Sequence, residues 1–546
     1  MPISLKLKAE QKNLLSLFGL DDVFVIPTFQ RPYSWGYEEC DRLYSDLAEA
    51  FKDNSDYFLG TIVIASTDNE DVSPHIIDGQ QRLITMYMIA KVLMSLRPEF
   101  KKFANLLYLY DDMGKIRSRK IVSQVLEYDD NSLIGEVMGY SEKEAKKRLT
   151  EVSYSDTINP LACHGRIEEN YLRIFKWFLE FQIRGSEEEF KKYIEFFFRK
   201  VYMLPITLSG ATIEEAESDA LTIFETINDR GMSLQDADII KALLYKKSKN
   251  LGIEDSFISS WKNLTSFCKD LNISIDDLFR YYYYIIKDKP LYLNESNSNK
   301  LRDYFVRSAK SPLILHDPDL IINDLKKILE ILEYLENIVV GTDDTAMLMQ
   351  IINVYTNQYP RYAIVSYLFN KGLYEVDKFD FKGFLKKLIR LSYGSGSTTS
   401  IKSEIFSIIR SITQEREIQD YYFSKDLDVL NSRRVFPLRK GLLMLYLSLE
   451  TPSYTVGTKV LNVDRIIPKN QFQDNEIETI GNFFLTEGSV MRGAWGKKGI
   501  EYKNKLPGLF AAQYLSTDID PLYLIKERTK NINDCLSEFF YKNEKN

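Results

Sequence analysis

The sequence predicts an α+β protein, predominantly helical, with three domains. Three observations lead there. The chain has 546 residues, and at roughly 100–200 residues per domain that makes about three. Short β-branched or aromatic runs alternate with helical patterns up to residue 245 and yield to mostly helical patterns beyond it. Tyr and Phe are plentiful, 35 and 32, against 25 Gly and 16 Pro, which suits large helical bodies with aromatic packing better than long disordered stretches.

Along residues 1–245, DVFVIPTF (22–29) is a candidate strand, GYEECDRLYSDLAEAF a helix with Leu43, Leu47 and Phe51 four apart, and Tyr57 to Ala65 a strand. HIID is a second short strand, and QQRLITMYMIAKVLMSL is so apolar that it must be a buried helix. Val201 to Leu208 is a further strand, followed by the helix EEAESDALTIFETIN, a break at Gly231 and a helix from about Ser233. Residues 246–425 hold helices at Leu278 to Lys287, Leu320 to Ile338 and Phe379 to Tyr393, and SYGSGSTTS (392–400) is the clearest linker. Residues 426–546 contain a helix at Leu442 to Leu449, a short strand at Val460 to Ile467 and a Gly- and Lys-rich turn region at 488–505.

The net charge of −7 excludes DNA binding over the whole surface, which calls for a basic chain, so any nucleic-acid contact must come from a local basic patch. The four cysteines, Cys40, Cys163, Cys268 and Cys535, form no CxxC pair and so no readable zinc site. Thiols this sparse fit a reducing compartment. The N-terminus lacks a signal-peptide core, and Leu83 to Leu96, interrupted by Lys91, is too short to span a bilayer. The expectation is a soluble, cytoplasmic protein with no membrane partner.

Three stretches of the front part carry chemistry. In Phe29-Gln30-Arg31-Pro32-Tyr33-Ser34-Trp35, Pro32 pushes Arg31 toward extended backbone. Arg31 offers a planar fork for phosphate oxygens, and Tyr33 and Trp35 could stack on a base; the plainer alternative is a structural Arg beside two core aromatics. In Ile77-Asp78-Gly79-Gln80-Gln81-Arg82-Leu83-Ile84-Thr85, a strand ends, Gly79 turns and a helix begins. Its free N–H groups attract anions, with Gln80, Gln81 and Arg82 beside them and Asp78 available to hold a divalent metal or orient a water. The plainer alternative makes Asp78 an N-cap. In Phe224-Glu225-Thr226-Ile227-Asn228-Asp229-Arg230-Gly231, Asn228 and Gly231 suit a helix end, and the loop presents Arg230. His75 is read as structural.

FQRPYSW, IIDGQQRLIT and FETINDRGMSL, in this order over about residues 10–245, resemble the motifs of the GmrSD-type restriction family (domain of unknown function 262). The resemblance implies a ParB/sulfiredoxin-like nucleotide-binding domain at 1–245 that binds and hydrolyses a nucleoside triphosphate (GTP, ATP or CTP), with Mg²⁺, in an antiviral defence system. On it Asp78, Gln80, Gln81 and Arg82 are the catalytic set. Gln30, Arg31, Tyr33, Trp35, Gly79, Thr85, Asn228 and Arg230 are the nucleotide-binding set. The implied partners are DNA, including modified phage DNA, and a second copy or a partner defence protein.

The family often carries a C-terminal HNH-like nuclease domain (domain of unknown function 1524). Leu461-Asn-Val-Asp464-Arg465-Ile-Ile-Pro468 and Ile480-Gly481-Asn482-Phe-Phe-Leu485 resemble its frame in outline. Arg465 stands where the family has its histidine. Arginine stays protonated and cannot take a proton from water. Asp464 is left as a weak metal ligand, and residues 426–546 read as a degenerate HNH-like (ββα) domain behind the helical domain 246–425. Arg433, Arg434, Arg439, Lys440, Arg465, Lys469, Arg492, Lys497, Lys498, Lys503 and Lys505 make this region basic, so binding nucleic acid without cutting it is the expected use, with a solvated basic face as the alternative. Two other functions stay open: a regulatory module acting with a partner nuclease, and an active HNH-type endonuclease with an atypical base.

Overall fold

A computed structural model describes residues 6–541 except 20, 70, 101–102, 104, 126–129, 155–156, 214, 218, 221–235, 290, 292–300, 302–303, 306–310, 395–400, 422–436, 453–460, 468–477 and 488–519. The chain divides into two compact units, residues 1–262 and 263–546. That differs from the boundaries expected at 245 and 425. One helix, Asp236–Leu251, runs straight across the first, and residues on both sides of the second share a unit.

The front unit is built on a mixed sheet. Its strands are β1 (Lys6–Ala9), β2 (Lys12–Asn13), β3 (Phe24–Ile26), β4 (Tyr57–Thr67), β5 (His75–Asp78), β8 (Ile121–Ser123) and β11 (Val201–Gly210), ordered β1-β11-β4-β5-β3-β8 with β2 also on β11. Short hairpins stand apart: β6 (Tyr108–Tyr110) with β7 (Ile116–Arg119), and β9 (Ser153–Tyr154) with β10 (Thr157–Ile158). β4 and β11 pair in parallel over their length, whereas β4 and β5 are antiparallel.

Side chains alternate across a strand, and here the alternation separates two cores. Ile62, Ile64 and Ile76 face one side; Val63, Ala65 and Ile77 face the other, with Phe29, Ile206 and Leu208. The larger core gathers α1 (Leu14–Phe18), α2 (Tyr37–Lys52), α3 (Gln80–Leu96), α4 (Asp130–Gly139), α5 (Glu142–Val152), α6 (Arg166–Arg184) and α7 (Glu187–Lys200). α2 buries Cys40, Leu43, Tyr44, Leu47 and Ala50, one stripe at helical spacing. α3 is apolar all round and buried from Leu83 to Leu93 except at Arg82 before it and Lys91 within it, which marks a central helix. The smaller core is closed by Ala216, Ala220 and Ala242, the last on α8 (Asp236–Leu251); α9 (Glu254–Asp270) follows.

In the rear unit, α10 (Ile275–Ile286), α11 (Pro318–Val339), α12 (Asp344–Asn353), α13 (Tyr359–Lys371), α14 (Lys378–Gly394) and α15 (Ile401–Thr413) form an aromatic-rich bundle. Tyr367 stacks on Phe384 with centroids 4.2 Å apart, and Tyr284 on Phe406 at 5.0 Å. The expected linker at 392–400 is overturned where it is described: α14 continues to Gly394, and Tyr393 is buried with its hydroxyl donating to the Ile351 carbonyl at 2.6 Å. Residues 395–400 lie outside the described residues. α16 (Arg439–Glu450) and α17 (Pro521–Phe540) then flank a short antiparallel pair, β12 (Leu461–Arg465) and β13 (Phe483–Glu487). Among the described residues no helix is long and apolar enough to cross a membrane.

Candidate functional site

The segment after β3 is extended and makes few bonds to itself, so its peptide groups must find partners elsewhere. Side chains supply them. The Gln30 N–H donates to the Pro27 carbonyl (3.1 Å) and its side-chain amide to Ile77 O (2.9 Å). Three successive carbonyls, of Gln30, Arg31 and Pro32, accept from Lys241 Nζ (3.4 Å), Gln80 Nε2 (3.0 Å) and Gln81 Nε2 (3.1 Å). Gln81 Oε1 accepts from the Ser34 and Trp35 N–H groups at 2.8 and 3.3 Å. Asp130 Oδ2 takes the Tyr33 N–H (2.8 Å), and Asn170 Nδ2 donates to the Trp35 carbonyl (2.7 Å). At about 1 kcal/mol net each, with a larger penalty for any buried group left unmade, these bonds lock the segment.

This arrangement changes the expected roles of several residues. Tyr33 was expected to be available for stacking on a base. Its ring is instead core, 4% exposed, with the hydroxyl donating to Thr85 Oγ1 (2.8 Å) and accepting from Asn170 (3.3 Å). Thr85 is fully buried and donates to the Gln81 carbonyl. A ligand cannot reach either without unpacking the core. Trp35 is half-buried against the same core. Gln30 and Gln81 spend the bonds described on the backbone, so they position the segment. Gln80 differs: its Oε1 is buried and finds no donor among the described residues.

The open chemistry lies at the start of α3. Gly79 is its N-cap residue, with φ +87° and no side-chain cap. A Cβ there would stand 2.5 Å from Ile62 Cγ2, so only glycine fits the turn. The Asp78 carboxylate faces Arg82 Nη2 at 3.4 Å, and Arg82 Nη1 is 3.5 Å from the Leu59 carbonyl. Both contacts are long for hydrogen bonds. The two side chains remain about a quarter exposed, so the guanidinium is held near the helix end without being consumed. Gly60, at φ +119°, leaves the room that Arg82 Nη1 occupies. Arg31 also acts on Asp78: burial raises the Asp78 carboxyl above the ordinary aspartate range, and Arg82, the Gly79 N–H and Arg31 oppose this. Of the three predicted arginines, Arg82 contacts this carboxylate, and Arg31 is tied to the helix start through its carbonyl, which accepts from Gln80 Nε2. Asn228 and Arg230 lie outside the described residues.

The raised carboxyl sets a prediction. A carboxyl whose folded-state pKa exceeds its unfolded value costs stability once pH rises through the folded pKa, and costs nothing below the unfolded one. Asp78→Asn should therefore make the protein more stable than wild type at neutral pH. The advantage should disappear as pH falls below the ordinary aspartate range. Equilibrium unfolding of both proteins across that range measures it, and an advantage that persists in acid contradicts the burial argument.

Sequence reasoning missed three contributors. Lys241 sits within the apolar run IIKALL, 2% exposed, with its ammonium on the Gln30 carbonyl and 5.9 Å from the Trp261 ring centre. A lone Lys in such a run was the available signal. Asp130 and Asn170 had none, since they reach the segment from about 100 and 135 residues away. His75 Nδ1 lies 2.6 Å from Glu217 Oε1.

At the C-terminal frame, Arg465 forms a two-pronged ion pair with Glu478 (3.1 and 3.0 Å), and its guanidinium lies 4.8 Å from the Phe483 ring centre. Asp464 is 7% exposed and accepts the Arg465 N–H at 2.7 Å. Asn482 is fully buried, its amide bonded both ways to Ile467. Of the basic cluster, Arg439, Lys440 and Arg465 are described, and Arg439 covers Phe483 at 3.8 Å. Arg433, Arg434, Lys469, Arg492, Lys497, Lys498, Lys503 and Lys505 lie outside the described residues.

A clamped segment, a glycine turn and Arg82 meet at the start of α3. Residues 12–245 match the family model described as the GmrSD restriction endonuclease, N-terminal domain, and this part of the chain is similar to that family. An uncharacterized protein of Methanocaldococcus jannaschii, MJ0686, is 23% identical over 273 residues, covering 44% of this chain. The chain spans 43% of that protein's length.

Proposed function

We propose that residues 12–245 bind a nucleoside triphosphate at the start of α3 and hydrolyse it, and that the chain serves an anti-phage restriction system acting on DNA. The observation that carries this is Arg82 beside Asp78 at a helix N-terminus without a side-chain cap, with the Arg31 segment bonded to the same first turn through Gln80 and Gln81, an arrangement suited to anionic oxygens. Gln80 Oε1 supports it as a buried acceptor with no donor among the described residues. Asp78 and Gln80 are oxygen donors of the kind Mg²⁺ takes, and that ion would neutralise phosphate charge. Asp78 would orient the attacking water. Gln30, Gln81 and Lys241 hold the segment that carries Arg31.

Residues 426–546 carry no cutting step in this reading. The guanidinium of Arg465, held on Glu478, cannot act as a base. That contact favours the second reading, a module whose partner supplies the nuclease.

The test is binding of labelled ATP, GTP and CTP, with and without Mg²⁺, to the full chain and to Arg31→Ala and Arg82→Ala. A charge-assisted hydrogen bond is worth about 1.5–3 kcal/mol, so each substitution should weaken binding by roughly tenfold to a hundredfold. If no triphosphate binds, or both variants bind as tightly as wild type, the proposal is wrong.

A further inference from the structure

Away from the arginines, three helices meet at a second polar cluster. Glu136 on α4, His164 just before α6 and Glu168 on α6 bring one ligating atom each within 4.8 Å of one another. His164 Nδ1 is 2.9 Å from Glu136 Oε1 and 3.9 Å from Glu168 Oε2. The Tyr140 hydroxyl lies 2.7 Å from Glu136 Oε1 and 2.8 Å from Glu168 Oε1. It has one proton for two carboxylate oxygens, so one of these contacts sets lone pair against lone pair.

The charges do not balance. Arg148 answers Glu168 at 2.6 and 3.1 Å but also meets Glu151 at 3.4 Å. Among the described residues no Lys or Arg pairs with Glu136, which faces the His164 imidazole. A proton on His164 would supply a positive charge; so would a metal ion, for which imidazole and carboxylates are ready ligands. Donors about 2.1 Å from a tetrahedral centre stand roughly 3.4 Å apart, which falls between the separations found.

We propose that Glu136, His164 and Glu168 form a binding site for a first-row divalent ion of the Zn²⁺ class. The ion displaces the Tyr140 proton's contact with one carboxylate and supplies the missing charge. Arg148 remains behind Glu168 and orients it. The site also has a structural consequence. α4 begins at Asp130, which holds the Tyr33 N–H, and α6 carries Asn170, which holds the Trp35 carbonyl. An ion joining Glu136 to Glu168 therefore staples the two helices that clamp the Arg31 segment. This inference does not depend on a triphosphate being the ligand there.

The test uses the full chain after chelator treatment. Co²⁺ should load to roughly one equivalent, with the visible absorption of an N/O-coordinated ion, and Zn²⁺ should displace it and raise the thermal unfolding midpoint by several degrees. His164→Ala and Glu136→Gln should abolish both responses. His164 is more than half exposed, so its substitution is compatible with folding, which far-UV circular dichroism checks. A purely structural ion network predicts that these substitutions alter stability equally with and without metal. That outcome, failure of the wild type to load, or loading retained by both variants overturns the site.

Discussion

Gly79→Ala is expected to destabilise the front unit by about 2–5 kcal/mol and to abolish the triphosphate binding proposed above. The backbone there is left-handed, φ +87°, which costs an alanine roughly 1–2 kcal/mol. The added Cβ would also stand 2.5 Å from Ile62 Cγ2, 3.1 Å from the Thr61 carbonyl and 3.2 Å from Ile62 Cα. Ile62 is fully buried on β4 and cannot retreat without opening the larger core, so overpacking adds about 1–3 kcal/mol. The only relief is to move the turn itself, which would carry Asp78 and the first turn of α3 out of place. Gly114→Ala is the matched control. Its φ is +73°, but a Cβ there meets nothing within 4 Å, so it pays the backbone term alone. Chemical denaturation should rank the two clearly. Equal losses would mean that the contact with Ile62 is not tight.

The elements legible in the sequence were those whose pattern is set locally. β4 was expected at Tyr57 to Ala65 and runs Tyr57–Thr67, because Ile62, Val63, Ile64 and Ala65 serve two cores alternately. α3 was readable because a helix this apolar has nowhere to go but the centre. Within the candidate site, Asp78, Gly79 and Arg82 stand together at the start of α3, while the glutamines of the same motif mostly bind backbone. Sequence adjacency shows that an amide is near a helix start; it does not show whether the amide faces a ligand or a neighbouring segment. Tyr33 stayed open between stacking and core for a related reason: a phenol suits a binding surface and a hydrogen-bonded core alike, and Asn170, which bonds its hydroxyl in the core, is distant in the chain. At Ser392 and Tyr393 a Gly/Ser-rich composition gave way to burial, since tertiary packing outweighs weak local preference.

The second large effect is expected at Asn482, where the HNH-like frame and the structure suggest different jobs. If this frame worked as a nuclease, a polar residue here would serve the reaction and its loss would leave the fold intact. The structure gives its amide another task. Asn482 Oδ1 accepts the Ile467 N–H at 2.8 Å, Nδ2 donates to the Ile467 carbonyl at 3.1 Å, and the Asn482 carbonyl accepts the Ile466 N–H at 2.8 Å. The side chain thus continues the β12–β13 pairing beyond Arg465 and Phe483, where the ladder ends. The neighbouring turn is fixed from the other side, Arg528 donating to the Gly481 and Phe483 carbonyls at 3.0 and 2.7 Å. Asn482→Ala would strand two buried peptide groups of Ile467 at about 1–3 kcal/mol each, so a loss of about 2–5 kcal/mol is expected in the unfolding transition of the rear unit. Asn482→Asp should be at least as costly, because it keeps the acceptor, loses the donor and buries a charge. A variant that unfolds like wild type but loses metal-dependent DNA cleavage would reverse this assignment. Asn482 would then be a working group of a nuclease that needs no histidine at position 465, and Arg465 would need a role other than its pair with Glu478.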